Sequence, residues 1–380
     1  MSHVKEQPRK LARVLYLTDL HPSDKFGSLE EQIFVIARMF KENGGLFVPV
    51  FGAPLGKLTT QQYSDAGLRV NWLNLHELSL QTLRRLLMLI RKHKVEVVHW
   101  NFYSPINPYV WLLSLLAPGL CHYLTDHTSR VLPLAPPPRG IKKMLKRILF
   151  KRYRKVLCIS DFVMRCLVLQ DIWSNVSRCT YFINTDRFRP IEDVRVATRT
   201  RLGVTDEFAV LFVANIMRWK GADVAVRALA ELPNSVVLWV VGDGEELTSV
   251  RQLSGALKLD GRVRFLGNQR SVEPFMQAAD CFVCPSLWGE ATGLVNLEAL
   301  ACRLPVVASA IGGIPEFVEE GRTGLLFSPG DHRELATKIR QLASNPEDCK
   351  RMGEAARLAA VEKYSIESRL SDYVEVYISQ

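Results

Sequence analysis

The chain has 380 residues, 48% of them hydrophobic and 23% charged, with 49 Lys and Arg against 39 Asp and Glu. At roughly 150 residues per domain that length predicts two domains with sizeable cores, and the balanced composition excludes a disordered chain or a polytopic membrane protein. The net charge of +10 is local, because Arg139 to Lys155 holds nine basic residues and no acid and leaves the remainder near neutral.

Taken in chain order, the first apolar run, LARVLYL, contains Arg13, stops before Asp19 and has no small-residue cleavage site behind it, so no secretory signal is expected. VLYLTDL reads as the first strand. The loop after it holds Gly27, and Ser28 with Glu31 reads as a capping box opening a helix with Leu29, Ile33, Ile36, Ala37 and Phe40 on one face, stopped by Gly44 and Gly45. A glycine at that place lets a phosphate approach free backbone N–H groups, although a plain helix entry fits the same residues. Further strands are read at LFVPVFG, VEVVHW, CHYLTDH, KVLCIS and around Thr180 to Ile183. The longest apolar stretch, Pro108 to Leu124, is broken by Pro118 and Gly119 and falls short of the roughly 20 residues of a spanning helix, so it reads as a buried helix followed by a strand.

The Pro-rich loop LPLAPPPRG leads into a helical pattern in which Ile141, Leu145, Ile148 and Leu149 alternate with Lys142, Lys143, Lys146, Arg147 and Lys151. Such a basic amphipathic helix either rests on anionic lipid headgroups or covers the core with a solvated face. No nucleic-acid motif or aromatic ladder accompanies it, so nucleic acid is not an expected partner. The arginine-rich stretch Thr185 to Arg201 reads as a linker. Beyond it come six more strand-like runs, AVLFVAN, VVLWVVG, VRFLG, CFVCPS, PVVASA and GLLFSP. Strands alternating with helices predict parallel sheets and an α/β chain of two doubly wound domains, 1–184 and 202–365, joined by the linker 185–201. A C-terminal helix over 366–380 can cross back to the first domain. The eight cysteines form no regular framework and suit a reducing compartment; Cys281 and Cys284 read as part of a core strand rather than a metal or redox pair.

In doubly wound sheets ligands bind beyond the carboxyl ends of the strands. After AVLFVAN stand Arg218 and Lys220, two cations that either neutralise a diphosphate leaving group without a metal or are mere surface. No D-x-D or H-x-x-H spacing offers to hold a cation. After CFVCPS, Glu290 sits in a loop, Thr292 and Gly293 open a helix, and Glu298 follows Leu294 by one turn, about 6 Å. A diphosphate at that helix start puts its ribose within reach of Glu298, whose carboxylate only accepts hydrogen bonds and so suits vicinal hydroxyls. Glu290 is placed to hold hydroxyls of a sugar beyond the phosphates. Gly242-Asp-Gly244 begins a dinucleotide fingerprint, but Leu247 occupies its third glycine position; Gly52 to Lys57 has the wrong spacing for a P-loop.

Together these residues resemble the retaining glycosyltransferases of sequence family 4, which have the GT-B fold of two Rossmann-like domains facing a central cleft. The resemblance rests on the E-x7-E pair Glu290 and Glu298, followed in order by LPVVASAIGGIPEFV and GRTGLLFSPGD, with VVGDGEEL, VRFLGN and FMQAADCFVCPS before it. It implies that Glu298 binds the donor ribose, Glu290 the donor sugar, and the backbone of Ala291, Thr292, Gly293, Leu294 and Val295 the diphosphate. Lys220 matches the phosphate-binding lysine, Gly27 the first glycine of a Gly-Gly loop, and Asn215, Gly242 and Asn268 complete the nucleotide-sugar site. His127 matches the region of the active-site histidine, so the catalytic set is Glu290, Lys220, His127 and Arg218. The pattern departs from the family at Ala214 and Asn215, where Gly and Arg are usual, with Arg218 spaced to replace the missing charge. It departs also at Ser28 and at the turn Tyr181 to Asn184.

The implied activity is transfer of a sugar, with retention, from a UDP- or GDP-linked donor to a glycan or lipid-linked acceptor. It would serve cell-surface polysaccharide, lipopolysaccharide or glycolipid synthesis, with no cofactor or metal, in the cytoplasm or peripheral on its membrane face. The alternative is a degenerate protein of the same fold that binds nucleotide or glycan without turnover.

Overall fold

The computed structural model describes residues 10–21, 26–172 and 175–378, so the basic residues ahead of Lys10 lie outside the described part. The chain forms two compact units. One comprises the chain up to Thr128, Ala135–Phe182 and the chain from Arg369 onward; the other comprises Ser129–Leu134 and Ile183–Ser368.

The first unit holds seven strands, β1 (Arg13–Thr18), β2 (Leu46–Phe51), β3 (Asn71–Trp72), β4 (Val97–Asn101), β5 (Cys121–Asp126), β6 (Tyr153–Cys158) and β7 (Val176–Arg178). They lie in the order β3-β2-β1-β4-β5-β6-β7. All neighbours are parallel, with Val14 opposite both Phe47 and Val97. The order reverses between β1 and β4, which makes the carboxyl ends of those two strands the switch point of this sheet. β3 has no apolar run to announce it. The strand expected around Thr180 to Ile183 falls earlier, at β7: the Cys179 amide still donates to the Cys158 carbonyl, but Tyr181 and Phe182 continue as a buried segment outside the ladder.

The second unit holds β8 (Phe208–Val213), β9 (Val236–Val241), β10 (Val263–Gly267), β11 (Cys281–Cys284), β12 (Val306–Ser309) and β13 (Gly324–Phe327), in the parallel order β10-β9-β8-β11-β12-β13. Its switch point lies between β8 and β11. Alternate residues divide between two cores: Ala209, Leu211, Val237 and Trp239 pack on one side, Val210, Phe212, Leu238 and Val240 on the other. A sheet covered on both faces needs such continuous apolar strands. Cys281 and Cys284 are buried in β11 as free thiols, in keeping with a core strand.

Three local expectations are corrected. The segment 185–201 is not a linker, because Glu192–Arg201 is a helix docked within the second unit. Its arginines are structural: Arg195 donates to the carbonyls of Ala278 and Ala279 and pairs with Asp280 at 2.5 Å, and Arg199 binds the same carboxylate and the carbonyls of Thr205 and Glu207. The cap of helix Ser28–Glu42 is Gly27, whose amide donates to Glu30 at 3.1 Å, so Ser28 and Glu31 do not form the box. The helix Pro108–Leu116 buries Tyr109, Val110 and Leu113 but leaves Leu115 74% exposed, so it is buried on one face only.

The basic segment is a helix over Gly140–Phe150. Leu149 and Phe150 are buried, whereas Ile141, Met144, Leu145 and Ile148 are exposed, Ile141 by 72%. Of its cations, Lys143 and Arg147 pair with Asp171 and Lys146 donates to Gln170. Lys142 and Lys151 are exposed and form no ion pair among the described residues. At the end of the chain, helix Ile366–Val376 leads into Tyr377, whose hydroxyl bonds His99 Nδ1 at 2.5 Å inside the first unit. Among the described residues no helix is long and apolar enough to cross a membrane.

Candidate functional site

The best-formed site lies at the switch point of the second unit, in the loops after β8 and β11. The first of these ends in a short 3-10 turn, Arg218–Lys220, closed by Gly221 at φ +70. A Cβ on Gly221 would sit 2.0 Å from the Pro285 carbonyl oxygen, so glycine is what lets the two loops touch. They are joined further by the Leu287 amide donating to Trp219 at 2.8 Å and by the Trp219 and Trp288 rings, 4.9 Å between centroids.

This contact delivers Lys220 to Glu290. The ammonium lies 2.5 Å from Glu290 Oε1, and Ser286 (2.9 Å) and Trp288 Nε1 (3.1 Å) donate to the same oxygen. Among the described residues no donor bonds Oε2. Glu290 is 5% exposed, and a buried carboxylate of that kind needs both the cation and the neutral donors. Its backbone is fixed as well. Gly313 donates to the Glu290 carbonyl at 2.7 Å, and a Cβ on Gly312 would meet the Glu290 nitrogen and oxygen at 2.6 and 2.5 Å.

Beyond Glu290 the chain turns through Gly293, at φ +72, into helix Leu294–Ala301. The first amides of a helix lack partners within it and face an anion favourably. Beside that start, the buried Thr292 hydroxyl has no hydrogen-bond partner among the described residues, and the buried Asn296 carboxamide lies next to the Cys284 thiol. Of the backbone amides expected to hold a diphosphate, Ala291 is taken, since it donates to Ser129 Oγ at 3.1 Å while Arg130 and Gly289 exchange backbone bonds at 2.8 Å. Thr292, Gly293, Leu294 and Val295 form the helix entry itself. Glu298 stands half-buried one turn down that helix.

Asn215 and Arg218 are exposed on the β8 loop, and Arg218 pairs with no acid among the described residues. Gly242, after β9, stands with its α-carbon against this loop, where a Cβ would lie 1.8 Å from the Ala214 carbonyl oxygen. Asn268 is exposed just after β10. Eleven expected residues thus collect at the carboxyl edge of one sheet: Asn215, Arg218, Lys220, Gly242, Asn268, Glu290, Thr292, Gly293, Leu294, Val295 and Glu298.

Gly27 and His127 belong to the first unit. Gly27 has its amide committed to Glu30. His127 is stacked on Phe102 at 3.9 Å, bonded through Nδ1 to the Tyr181 hydroxyl and through Nε2 to Asn101 Oδ1 at 3.2 Å. Burial pushes its pKa down to about 3, so the ring is neutral near pH 7, with both nitrogens occupied. The ring is thus fixed in one orientation by its bonds and its stacking partner. Sequence reading missed Ser286, Trp288, Gly312, Ser129, Asn101 and Tyr181. Trp288 and Ser286 stand only two and four residues before Glu290, but the others reach the two sites through the fold.

Comparisons with known proteins match most of the chain. A profile described as "Glycosyl transferases group 1" matches residues 197–359, and one described as "Glycosyltransferase Family 4" matches residues 44–178. N-acetyl-alpha-D-glucosaminyl L-malate synthase of Bacillus anthracis is 34% identical over 178 residues, 46% of each chain. GDP-mannose-dependent alpha-(1-6)-phosphatidylinositol monomannoside mannosyltransferase of Mycolicibacterium smegmatis is 34% identical over 49% of this chain and 52% of its own. The aligned region thus spans about half the length of these curated relatives. Anabaena HepE, solved in complex with UDP and glucose, superposes with a TM-score of 0.81 at 21% identity over 97% of this chain and 100% of that one.

Two doubly wound units of this kind define the GT-B fold. The chain belongs to glycosyltransferase family 4.

Proposed function

We propose that the second unit binds a nucleoside diphosphate sugar and that the protein transfers the sugar to a glycan or lipid-linked acceptor with retention of anomeric configuration. The observation that carries this reading is the pairing of Lys220 with buried Glu290 beside a helix start next to the Thr292 hydroxyl, which has no partner among the described residues. Lys220 and the helix amides would meet the diphosphate, Glu298 the ribose, and Glu290 Oε2 a hydroxyl of the sugar. Catalysis then rests on positioning and on stabilising the departing phosphate, whose oxygen takes the acceptor's proton; no side chain has to act as nucleophile. Exposed Arg218 would add the charge that Asn215 lacks. His127, neutral and immobilised, would orient a ligand at the edge of the first unit. The route needs no metal or cofactor.

UDP and GDP are the two donors to try, since one relative's name specifies GDP-mannose and HepE holds UDP. The test is incubation of the purified chain with each nucleotide sugar, following nucleotide release and the anomeric proton coupling of the product. Release with an α-configured product from an α-linked donor supports retaining transfer. Nucleotide binding without hydrolysis or transfer would favour the turnover-free reading that Asn215 raises.

We further propose that the helix Gly140–Phe150 lies on anionic lipid on the cytoplasmic membrane face, because Ile141, Met144, Leu145 and Ile148 are exposed beside exposed Lys142 and Lys151. Changing Lys142, Lys143, Lys146 and Arg147 to Gln is expected to release the protein from anionic vesicles, most of the effect coming from Lys142 because Asp171 and Gln170 engage the others. Unchanged co-sedimentation contradicts the membrane contact.

A further inference from the structure

The switch point of the first unit carries a cluster of a different chemistry. Asp19 stands one residue past the end of β1, His21 two residues later, and His76 in the connection that follows β3. Asp19 Oδ1 lies 2.7 Å from His76 Nε2 and 3.4 Å from His21 Nε2, and the three potential ligand atoms all lie within 4.8 Å of one another. In a tetrahedral site with bonds of about 2.0–2.1 Å, ligand atoms are separated by roughly 3.3 Å, so small rotations of the two exposed imidazoles suffice to enclose an ion.

Two neighbours show that the arrangement is built. Gly52, directly after β2, presses its α-carbon against the cluster, and a Cβ there would meet Asp19 Oδ1 at 2.7 Å and His21 Nε2 at 3.3 Å. Tyr103, two residues after β4, is 6% exposed, contacts the His76 ring at 5.9 Å between centroids, and has a buried hydroxyl with no hydrogen-bond partner among the described residues. The four strands involved, β3, β2, β1 and β4, are consecutive neighbours in the sheet, so the cluster gathers at one stretch of its carboxyl edge.

We propose that Asp19, His21 and His76 form a binding site for one divalent transition-metal ion of the zinc class. Two imidazole nitrogens and one carboxylate oxygen are a zinc donor set, and three protein ligands leave a fourth position for water or for an oxygen of a small molecule bound at this edge. A water carried there would give the Tyr103 hydroxyl an acceptor. The site lies wholly within the first unit and does not depend on the sugar-transfer reading, in which no metal takes part.

The experiment is titration of the chelator-stripped full chain with Co2+, followed by its visible absorption, and with Zn2+ by equilibrium dialysis. One equivalent is expected to bind, with Co2+ bands of low coordination number, and His76→Ala and His21→Ala should each weaken binding at least about tenfold. Circular dichroism checks that the variants fold, and His21, 62% exposed, is the substitution least able to disturb the unit. Gly52→Ala should weaken binding as well, through crowding. Absence of saturable uptake, or equal uptake by both histidine variants and the unaltered chain, overturns the proposal. Nucleotide release measured in the same stripped sample separates this outcome from failure of the transfer reading.

Discussion

Replacing Lys220 with alanine is expected to lower kcat by a factor of about 10²–10³, on the order of 3–4 kcal/mol of transition-state stabilisation, while donor affinity falls much less. In the resting site the ammonium is held on Glu290 Oε1. In the proposed reaction a diphosphate entering at the helix start would compete for that cation, with the attraction greatest when charge builds up on the departing oxygen. The interaction therefore favours the transition state over the ground state, which is the signature of a kcat effect. Ser286 and Trp288 remain as donors to Glu290 after the substitution, but the buried carboxylate loses its cation, so circular dichroism of the variant must match that of the unaltered chain for the kinetics to report on Lys220 itself. Arginine at 220 should recover little, because a planar guanidinium does not fit a place made for one point charge against one oxygen. Steady-state kinetics over a range of donor concentrations checks this; a loss under about threefold in kcat, or a change confined to KM, contradicts the assigned role.

The largest expected effect on stability is at Gly242. Its φ of +132 is reached almost only by glycine, and a Cβ would lie 1.8 Å from the Ala214 carbonyl oxygen. That contact is with backbone, not with the end of a flexible side chain, and Ala214 is itself tied to β9 by the hydrogen bond its amide donates to the Val241 carbonyl. Gly242→Ala is therefore expected to cost about 3 kcal/mol or more, read as a lower urea midpoint of the second unit. Gly255, inside helix Leu247–Ala256, has no positive φ, and a Cβ added there would meet nothing within 4 Å, which makes it the control. Gly255→Ala should be neutral or stabilising by up to about 1 kcal/mol. Equal midpoints for the two variants would contradict the close approach of the loops after β8 and β9.

The same residues show why the second unit is more legible in the sequence than the first. Strands such as Val236–Val241 are buried on both faces and must be continuously apolar, and the loops after β8 and β11 hold glycines and charges at short, local spacing. Glu290, Thr292 and Glu298 can thus be read from nine consecutive residues. What the sequence hides is long-range. Gly312 touches Glu290 from after β12, and Ser129 reaches Ala291 across 162 residues. The arginine-rich segment 185–201 resembles a linker because its helix buries so little apolar surface; guanidinium bonds to Asp280 and to carbonyls hold it instead. In the first unit, β3 has two residues and no pattern, and Asp19, His21 and His76 form a group only once β1 and β3 are placed in one sheet. His127 is found by position, but its partners Asn101 and Tyr181 come from β4 and from the segment after β7.

The central claim is that the loops after β8 and β11 hold a nucleoside diphosphate with its ribose on Glu298. A thermal-shift titration of the chain and of its Glu298→Ala variant with UDP, GDP and ADP tests it most directly. A ligand at 100 times its dissociation constant stabilises by about 2.7 kcal/mol, an easily measured shift. The account predicts a saturable shift with one nucleotide in the unaltered chain, reduced at least about tenfold in apparent affinity by Glu298→Ala. No shift with any nucleotide at millimolar concentration, or an identical shift in the variant, would contradict it.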